Sequence, residues 1–184
     1  MPILEHQADI HPETLLDDAD ATPERHWWLV YTLARREKDL MRRLTAKDVA
    51  YFGPTYRKGQ RSPSGRLRIV QAPLFSGYVF LFGDDESRQA AFATNCVARI
   101  DPVAPGIPLT RELRQLRAVL GGDRPVTPEH RLEPGEPVSI RSGPFRGFSG
   151  TLVKRDNSNR LLIAVNFIQQ GASVEVFDDE VEAA

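Results

Sequence analysis

The sequence has one cysteine, Cys96, among its 184 residues, so it cannot form an internal disulfide bond. A chain without disulfides is typical of a reducing compartment. No apolar run approaches the roughly 20 residues that a membrane-spanning helix needs. The first residues also lack the basic segment followed by an apolar segment that marks a signal peptide. These absences argue against a disulfide-rich secreted scaffold and a helical membrane protein, and we expect a cytoplasmic chain that makes no membrane contact.

Residue types that perform catalysis or bind metals are present but are not grouped. The histidines are scattered and lack the spacing of a metal-binding pair: His6, His11, His26 and His130. The acids Asp84 to Glu86 follow a predicted strand and are better explained as the acidic start of a helix than as a magnesium site. The glycine-rich segment 142–150 is not followed by the Gly-Lys-Ser/Thr of a phosphate-binding loop. We therefore expect no enzyme, no cofactor and no metal.

The charge is distributed unevenly along the chain, although the net charge is only −1. Residues 1–25 hold seven acids and one base, residues 26–120 hold sixteen bases and eight acids, and residues 121–184 hold seven bases and ten acids. A basic middle region between acidic flanks is compatible with a nucleic-acid neighbour. An ordinary solvated surface explains the same charges equally well.

The pattern of apolar residues predicts an α+β domain over residues 26–120, preceded by a mobile acidic tail over residues 1–25. Aromatic and β-branched runs indicate strands, and apolar residues at helical spacing indicate helices. We expect one sheet covered by helices. The predicted strands are 27–33, 49–52, 78–82 and 97–100, the predicted helices are 35–44, 88–94 and 110–120 (capped by Thr110), and residues 55–72 form a hairpin.

A second, all-β domain is predicted over residues 136–184. Residues 121–135 contain three glycines and three prolines, a composition typical of a linker. Beyond them apolar residues alternate with polar ones, and Asp156 to Asn159 reads as a hairpin turn. Four or five short strands in about fifty residues predict a small barrel, since closure removes exposed strand edges.

Two motifs resemble those of the NusG family of bacterial transcription elongation factors. The first is Pro73-Leu74-Phe75-Ser76-Gly77-Tyr78-Val79-Phe80, in which Ser76 replaces the family's second proline. The second, over residues 142–150, resembles the KOW motif: Ser-Gly-Pro-Phe-Arg-Gly-Phe-Ser-Gly. The opening strand Trp27-Trp28-Leu29-Val30-Tyr31 is also similar. The resemblance implies an N-terminal NGN sandwich joined by a linker to an SH3-like KOW barrel.

The resemblance further implies that the N-terminal domain docks on the clamp helices of the largest RNA polymerase subunit. The matched positions are Tyr31, Pro73, Leu74, Phe75 and Tyr78. Because Tyr78 begins a predicted central strand, it is placed either in the core or at the contact. We expect Tyr31 and Phe75 to touch polymerase, as aromatic side chains in a desolvated pocket are typical binding anchors.

The predicted hairpin carries five cationic side chains and no acid: Arg57, Lys58, Arg61, Arg66 and Arg68. By resemblance to the family, these residues lie near the DNA backbone at the transcription bubble, where cations contact phosphates without reading sequence. The alternative is a flexible, solvated hairpin, and the sequence does not decide between the two.

The resemblance implies that the barrel recruits a small-subunit ribosomal protein or the termination factor Rho, through Phe145, Phe167 and Ile168. The family's common Ile-Phe-Gly-Arg pattern near this turn is absent here. The run Asn166-Phe167-Ile168 looks more like the specialised paralogue RfaH, so we expect a monomeric, RfaH-like antiterminator. The alternative from another class is a stand-alone RNA- or ribosome-binding KOW module that does not act on polymerase.

Overall fold

The structure is a computed structural model that describes residues 7–105 and 107–184. The chain forms two compact units. The first unit comprises the chain up to residue 55 together with residues 73–110, and the second comprises residues 56–72 and 111–184. No helix of the described part is long and apolar enough to cross a membrane.

Thirteen strands and four α-helices are formed by the described residues. The helices are α1 Leu15–Asp18, α2 Glu37–Ala46, α3 Asp85–Phe92 and α4 Leu109–Leu120. The strands up to α4 are β1 Ile10–His11, β2 His26–Thr32, β3 Ala50–Phe52, β4 Thr55–Arg61, β5 Leu67–Pro73, β6 Tyr78–Gly83 and β7 Val97–Pro102. The strands after α4 are β8 Val126–Glu129, β9 Glu136–Ile140, β10 Ser149–Arg155, β11 Ser158–Val165, β12 Gln170–Glu175 and β13 Val181–Ala183.

The first unit is organised by a five-stranded antiparallel sheet in the order β1-β3-β6-β2-β7. Side chains alternate between the two faces of a strand, so Val30 and Val79 point to one face while Tyr31 and Tyr78 point to the other. The first face packs on α2 and α3 through a buried cluster: Trp28, Val30, Leu40, Met41, Leu44, Val49, Tyr51, Val79, Leu81, Ala91, Cys96 and Ile100. Burying one such large side chain stabilises the fold by about 1.5–3 kcal/mol. The prediction of a sheet with helices packed on it is confirmed.

Helix α4 differs from the prediction at its first turn. The helix begins at Leu109, so Thr110 lies within it and does not cap it. Instead, the Thr110 hydroxyl accepts a hydrogen bond of 2.9 Å from the indole N–H of Trp27. The predicted apolar stripe of Leu113, Leu116 and Leu120 is present in part: Leu113 and Leu116 are fully buried, whereas Leu120 is partly exposed. Leu109 and Val119 complete the buried face. The helix ends before Gly121, as predicted.

The second unit contains a six-stranded antiparallel sheet in the order β13-β9-β10-β11-β12-β8, which we call the C-terminal sheet. Its central strand, β11, is buried at Leu161, Leu162, Ile163 and Val165. Asp156 and Asn157 connect β10 to β11 with φ of 46° and 67°. Two consecutive positive φ values are those of a type I′ hairpin turn, and the predicted turn is confirmed. The β4–β5 hairpin of this unit is likewise present as predicted.

The acidic segment expected to be a mobile tail is ordered over the residues that the structure describes. Strand β1 pairs Ile10 with Phe52, and Leu15 and Leu16 of α1 are 4% and 2% exposed. Three apolar side chains therefore anchor this segment, while acids such as Asp17 remain on its exposed side. Residues 1–6, which belong to the same expected tail, lie outside the described residues.

The segment 121–135, expected to be a linker, contains a strand of the C-terminal sheet. Strand β8 pairs with β12, with Val126 opposite Val174 and Thr127 opposite Ser173. The Ser173 hydroxyl also donates a hydrogen bond of 2.6 Å to the Glu129 carboxylate. Pro128 lies within β8, opposite Ala172, and the other glycines and prolines of this segment lie outside the strand. The segment is therefore not a continuous linker.

Glu180 is a buried acid in the segment that connects β12 to β13, and its carboxylate holds that segment in place. The Arg124 guanidinium donates to both carboxylate oxygens, at 2.8 and 2.6 Å, and the backbone N–H of Phe177 donates at 2.9 Å. The hydrogen bonds from Arg124 hold the pKa of Glu180 below its usual 4.5. This stabilisation is therefore present above pH 4.5 and is lost as the pH falls through the lowered pKa.

We predict that Glu180→Gln lowers the free energy of unfolding by about 1–3 kcal/mol at neutral pH, because the charge-assisted pair is lost. Below pH 4.5 the variant and the wild type should converge, since Glu180 is then increasingly protonated in the wild type. Urea denaturation followed by circular dichroism across this pH range measures both effects. Glu182→Gln, at an exposed acid on β13, is the control. A constant difference between Glu180→Gln and the wild type at all pH values would contradict the prediction.

Candidate functional site

Two tyrosines and an arginine form a partly exposed surface on the first unit, which we call the Tyr31 surface. Tyr31 on β2 lies directly opposite Tyr78 on β6 and Arg99 on β7. The tyrosine rings are 5.2 Å apart between centroids, and the Arg99 guanidinium lies 4.0 Å from the centroid of Tyr31. Both tyrosines are partly exposed. The surface thus offers flat aromatic area beside a permanent cation.

Arg99 is held in this position by two neighbours. A hydrogen bond with Tyr31 and the charge of Asp101 raise the pKa of Arg99. Its guanidinium lies 3.0 Å from the Asp101 carboxylate. A cation lying over a tyrosine ring contributes about 0.5–1 kcal/mol when exposed and more when water is removed. A docking partner that covers the surface would therefore strengthen this contact.

The turn before β6 determines where Tyr78 is placed. Gly77 has a φ of +84°, a value that glycine adopts without strain. Its N–H donates a 2.7 Å hydrogen bond to the buried carboxylate of Glu37, and its carbonyl accepts a 2.9 Å bond from the Thr32 N–H. The first residue of β6 is consequently fixed to the end of β2 and to the start of α2.

Two of the residues expected to touch a partner are buried, which corrects that expectation. Leu74 and Phe75 are each 1% exposed. The Phe75 ring packs edge-on against Phe80 at 6.3 Å, and the Leu74 N–H donates to the Pro54 carbonyl at 2.8 Å. A side chain without accessible surface cannot contact a partner unless the fold rearranges. Pro73 is partly exposed.

Arg99, which contributes to this region, has no motif of its own in the sequence. Arg99 reaches Tyr31 only because β7 pairs with β2, and a pairing between distant strands leaves little local signal.

The five cations of the hairpin are all exposed: Arg57, Lys58, Arg61, Arg66 and Arg68. None of them forms an ion pair with an acid of the described residues. The guanidinium of Arg61 donates a hydrogen bond to the carbonyl of Gly65 at 3.4 Å. Five uncompensated positive charges on one two-stranded ribbon form a surface suited to phosphate groups.

The residues predicted to recruit a further partner differ in exposure: one is buried and two are partly exposed. Phe145 is 3% exposed and stacks on Phe148 at 5.8 Å, so the expectation that Phe145 contacts a partner is corrected. Phe167 and Ile168 are partly exposed in a short 3-10 helix, Asn166–Ile168. They lie side by side at one end of β11.

Glu112 on α4 holds the start of this short helix. Its carboxylate accepts hydrogen bonds from the side-chain amide of Asn166 at 2.6 Å and from the Asn166 backbone N–H at 3.3 Å. Burial raises the pKa of Glu112, and the bonds from Asn166 oppose part of that rise. The turn that carries Phe167 and Ile168 is thus attached to a buried carboxylate.

The described residues contain no group of three or more His, Cys, Asp or Glu side chains arranged to hold a metal ion. Cys96 is 1% exposed, and burial raises the pKa of its thiol. A buried, protonated thiol is a poor nucleophile. Asp84 caps α3 by accepting the Ser87 N–H at 2.9 Å, which agrees with the acidic helix start expected there.

Comparisons with known proteins point in one direction. Residues 25–126, more than half of the chain, match the family model described as transcription termination factor nusG. The matched range includes Tyr31, Tyr78, Arg99 and the hairpin. The chain is also similar to the transcription termination/antitermination protein NusG of Thermus thermophilus, with 26% identity over 153 residues, which is 70% of this chain and 81% of that protein.

One solved structure found by the comparison is the crystal structure of an MjSpt4:Spt5 complex, in conformation B. The match covers 86% of this chain and 96% of that chain, at 16% identity and a TM-score of 0.28.

We predict that Gly77→Ala lowers the free energy of unfolding by about 1–2 kcal/mol, because an alanine there must adopt a left-handed conformation. A Cβ at this position would meet no atom within 4 Å, so the cost is conformational and not steric. Thermal unfolding measures the change. Ser76→Ala, at the exposed neighbouring position, is the control and should leave the midpoint nearly unchanged. Equal midpoints for both variants would show that the turn is not constrained.

Proposed function

Because the chain belongs to the NusG family of transcription elongation and termination factors, we propose that it binds the clamp helices of the largest RNA polymerase subunit through the Tyr31 surface. Binding there suppresses pausing or termination, and the protein acts by binding alone. The observation that carries the proposal is the partly exposed Tyr31–Tyr78 pair beside Arg99, within the region that matches the family model.

The chemistry of the Tyr31 surface supports a protein partner. Tyrosine and arginine are enriched among the residues that dominate binding energy at interfaces, where single truncations cost about 2 kcal/mol or more. Tyr31 and Tyr78 are preorganised by pairing across two strands, so little side-chain freedom is lost on binding. Arg99 supplies a cation that favours a helix end bearing carboxylates or free carbonyl groups. A helical hairpin with an apolar tip fits these requirements.

The effect on transcription follows from preferential binding. A factor that binds the active conformation of polymerase more tightly than the paused one shifts the population toward the active state. A tenfold difference in affinity between the two states corresponds to about 1.4 kcal/mol. The clamp is a suitable target for such a bias because it bounds the channel that holds the nucleic acid.

We propose that the C-terminal sheet closes as an SH3-like KOW barrel and recruits a second partner through Phe167 and Ile168. This partner is a small-subunit ribosomal protein or the termination factor Rho. Both side chains are partly exposed on a turn that Glu112 holds in place. The run Asn166 to Ile168 supports a specialised, RfaH-like factor, in which recruitment of the ribosomal protein is favoured over Rho.

We predict that a Tyr31→Ala, Tyr78→Ala double variant binds RNA polymerase at least about thirtyfold more weakly than the wild type, since two anchoring rings are lost. Titration of the full chain into labelled core polymerase measures the dissociation constant. The matched control is Phe92→Ala, which removes another ring that is 41% exposed and has an arginine, Arg88, 5.9 Å from its centroid.

The outcomes of the polymerase titration distinguish an elongation factor from a stand-alone RNA- or ribosome-binding module. If Phe92→Ala weakens binding as much as the double variant, the docking surface lies elsewhere in the first unit. If the wild type itself does not bind polymerase, the elongation-factor function is contradicted. The stand-alone RNA- or ribosome-binding module then becomes the better explanation, and binding of the wild type to RNA would support it.

We further predict that a Phe167→Ala, Ile168→Ala variant binds the ribosomal protein or Rho about tenfold or more weakly, while its affinity for polymerase is unchanged. Surface plasmon resonance with each purified partner measures the change. Phe177→Ala, at a ring that is 55% exposed elsewhere in the C-terminal sheet region, is the control. Wild-type affinity in the double variant would contradict the proposed recruitment surface.

A further inference from the structure

Strand β8 covers the edge of β12 without adding a fully buried side chain to the core. Val126, Pro128 and Glu129 are partly exposed, and Thr127 is exposed. The neighbouring strand β12 is buried over four consecutive residues, 171–174. Departure of β8 would leave the apolar core filled, but it would also leave backbone N–H and C=O groups of β12 without partners. The edge of β12 therefore needs a strand beside it for its hydrogen bonds more than for its packing.

Two side chains of β8 are held by polar groups of the C-terminal sheet. Thr127 and Glu129 are two positions apart, so they point to the same face of the strand. The Arg160 guanidinium donates a hydrogen bond of 3.0 Å to the Thr127 hydroxyl. The Glu129 carboxylate accepts one bond of 2.6 Å from the Ser173 hydroxyl and one of 3.2 Å from the Arg155 guanidinium. The sheet thus recognises a hydroxyl and a carboxylate at a fixed spacing along an extended chain.

The groups that recognise β8 are also bonded to one another. The Arg160 guanidinium donates to the Ser173 hydroxyl at 2.9 Å and to the Ser173 carbonyl at 2.9 Å. Ser173 is fully buried. These bonds join β11 to β12 and do not involve β8, so they hold the recognising groups in place whichever chain lies along the edge. Such preorganisation lowers the entropic cost of binding.

The charges on this face determine what kind of chain suits the edge. Both carboxylates beside Arg155 belong to the segment that contains β8: Glu129 at 3.2 Å and Glu133 at 2.7 Å. Arg160 forms no ion pair with an acid among the residues that the structure describes. Displacement of the segment would leave two guanidinium groups without a carboxylate. A replacement strand that carries an acid is therefore favoured, and a cationic one is disfavoured.

An uncovered strand edge binds an extended chain through backbone hydrogen bonds and selects it through alternate side chains. We propose that the β12 edge is a binding site for an extended segment of a partner protein in which Ser or Thr is followed two residues later by Glu or Asp. Strand β8 has this pattern and occupies the site as an internal competitor. Exchange of one such strand for another conserves the backbone hydrogen bonds of β12.

The covalent connection of β8 sets how strongly it competes. Only residues 130–135 separate β8 from β9, and a short connection gives an attached segment an effective concentration on the order of millimolar. The apparent affinity for a partner is reduced by the fraction of molecules in which the edge is open. The site is consequently closed to weak partners and opens to one that is locally concentrated.

The proposal does not rest on the proposed function, and its test uses neither polymerase, ribosomal protein nor Rho. A fluorescently labelled peptide with the sequence of residues 125–130 is titrated with the full chain, and anisotropy is recorded. The Thr127→Ala, Glu129→Ala variant, in which β8 lacks its anchors, is expected to bind the peptide at least about tenfold more tightly than the wild type does. The same peptide with both alanine substitutions is expected to bind the variant about tenfold more weakly.

The recognising groups are tested in the background of this double variant. Adding Arg155→Ala or Arg160→Ala is expected to weaken binding of the peptide about tenfold. Lys154→Ala is the matched control, because Lys154 is an exposed cation on the same strand as Arg155 but points to the opposite face. Circular dichroism establishes that each variant is folded. If the double variant is not, Thr127→Ala alone replaces it, with an expected gain of about threefold over the wild type.

The chemistry of the partner is tested with a peptide array. The peptides vary at the positions of Thr127 and Glu129, and the array is probed with the double variant. Ser or Thr is expected at the first position and Glu or Asp at the second. Equal binding of all peptides would contradict the recognition of a hydroxyl and a carboxylate.

The remaining outcomes also decide between explanations. If the peptide does not bind the double variant, the proposal is overturned. If it binds the wild type equally well, β8 is not a competitor. If sedimentation shows a wild-type dimer that the double variant does not form, the edge is filled by β8 of a second copy, and the assignment to a partner protein is wrong. Peptide binding by a chain that does not bind polymerase upholds this inference while the proposed function fails.

Discussion

The antiparallel pairing of β2 with β6 is the constraint on which the first unit depends. These two neighbouring strands of the sheet divide their side chains between two faces by simple alternation. Val30 and Val79 face α2 and α3, where burial stabilises the fold, while Tyr31 and Tyr78 face the other side. A shift of one residue in this register would bury the tyrosines and expose the valines. The bond from Gly77 to Glu37 makes that shift costly, because a buried carboxylate would lose its donor. The same pairing that builds the core therefore determines which aromatic rings remain partly exposed.

Much of this arrangement could be predicted from local patterns. The order of strands and helices, the hairpin with its exposed cations and the turn at Asp156 all follow from periodicity and turn chemistry. The orientation of Phe75 does not follow from local patterns. This residue belongs to a motif rather than to a periodic run, and nothing local indicates on which side of the Gly77 turn its ring will pack. The structure turns it inward against Phe80. The position of Arg99 beside Tyr31 could not be predicted from local patterns either, because it depends on the pairing of β7 with β2, which are distant in sequence.

At two segments the amino-acid composition predicted irregular chain where the structure has a strand. Composition reflects the flexibility of a segment and carries no information about its pairing with a distant strand. The acids near the start and the prolines after α4 both suggested irregular chain. Yet Ile10 pairs with Phe52, and Val126 pairs with Val174, in each case supplying a strand to an existing sheet edge. A few apolar residues at the correct register outweigh an unfavourable composition, since the partner strand supplies the missing hydrogen bonds. Short edge strands of this kind carry too little periodicity to be recognised alone.

The hydrogen bonds between Glu112 and Asn166 have a thermodynamic consequence for the turn that carries Phe167 and Ile168. A ligand that draws Asn166 away from α4 leaves a buried carboxylate without its donors, so the helix and the ligand compete for the same amide. Reciprocity then requires that whatever loosens α4 also raises the affinity of the turn for that ligand, by the same factor. Proton uptake by Glu112, whose pKa is raised by burial, would weaken its hold on the Asn166 amide and so loosen the same attachment. One carboxylate thereby couples this turn to a helix more than fifty residues earlier in the chain.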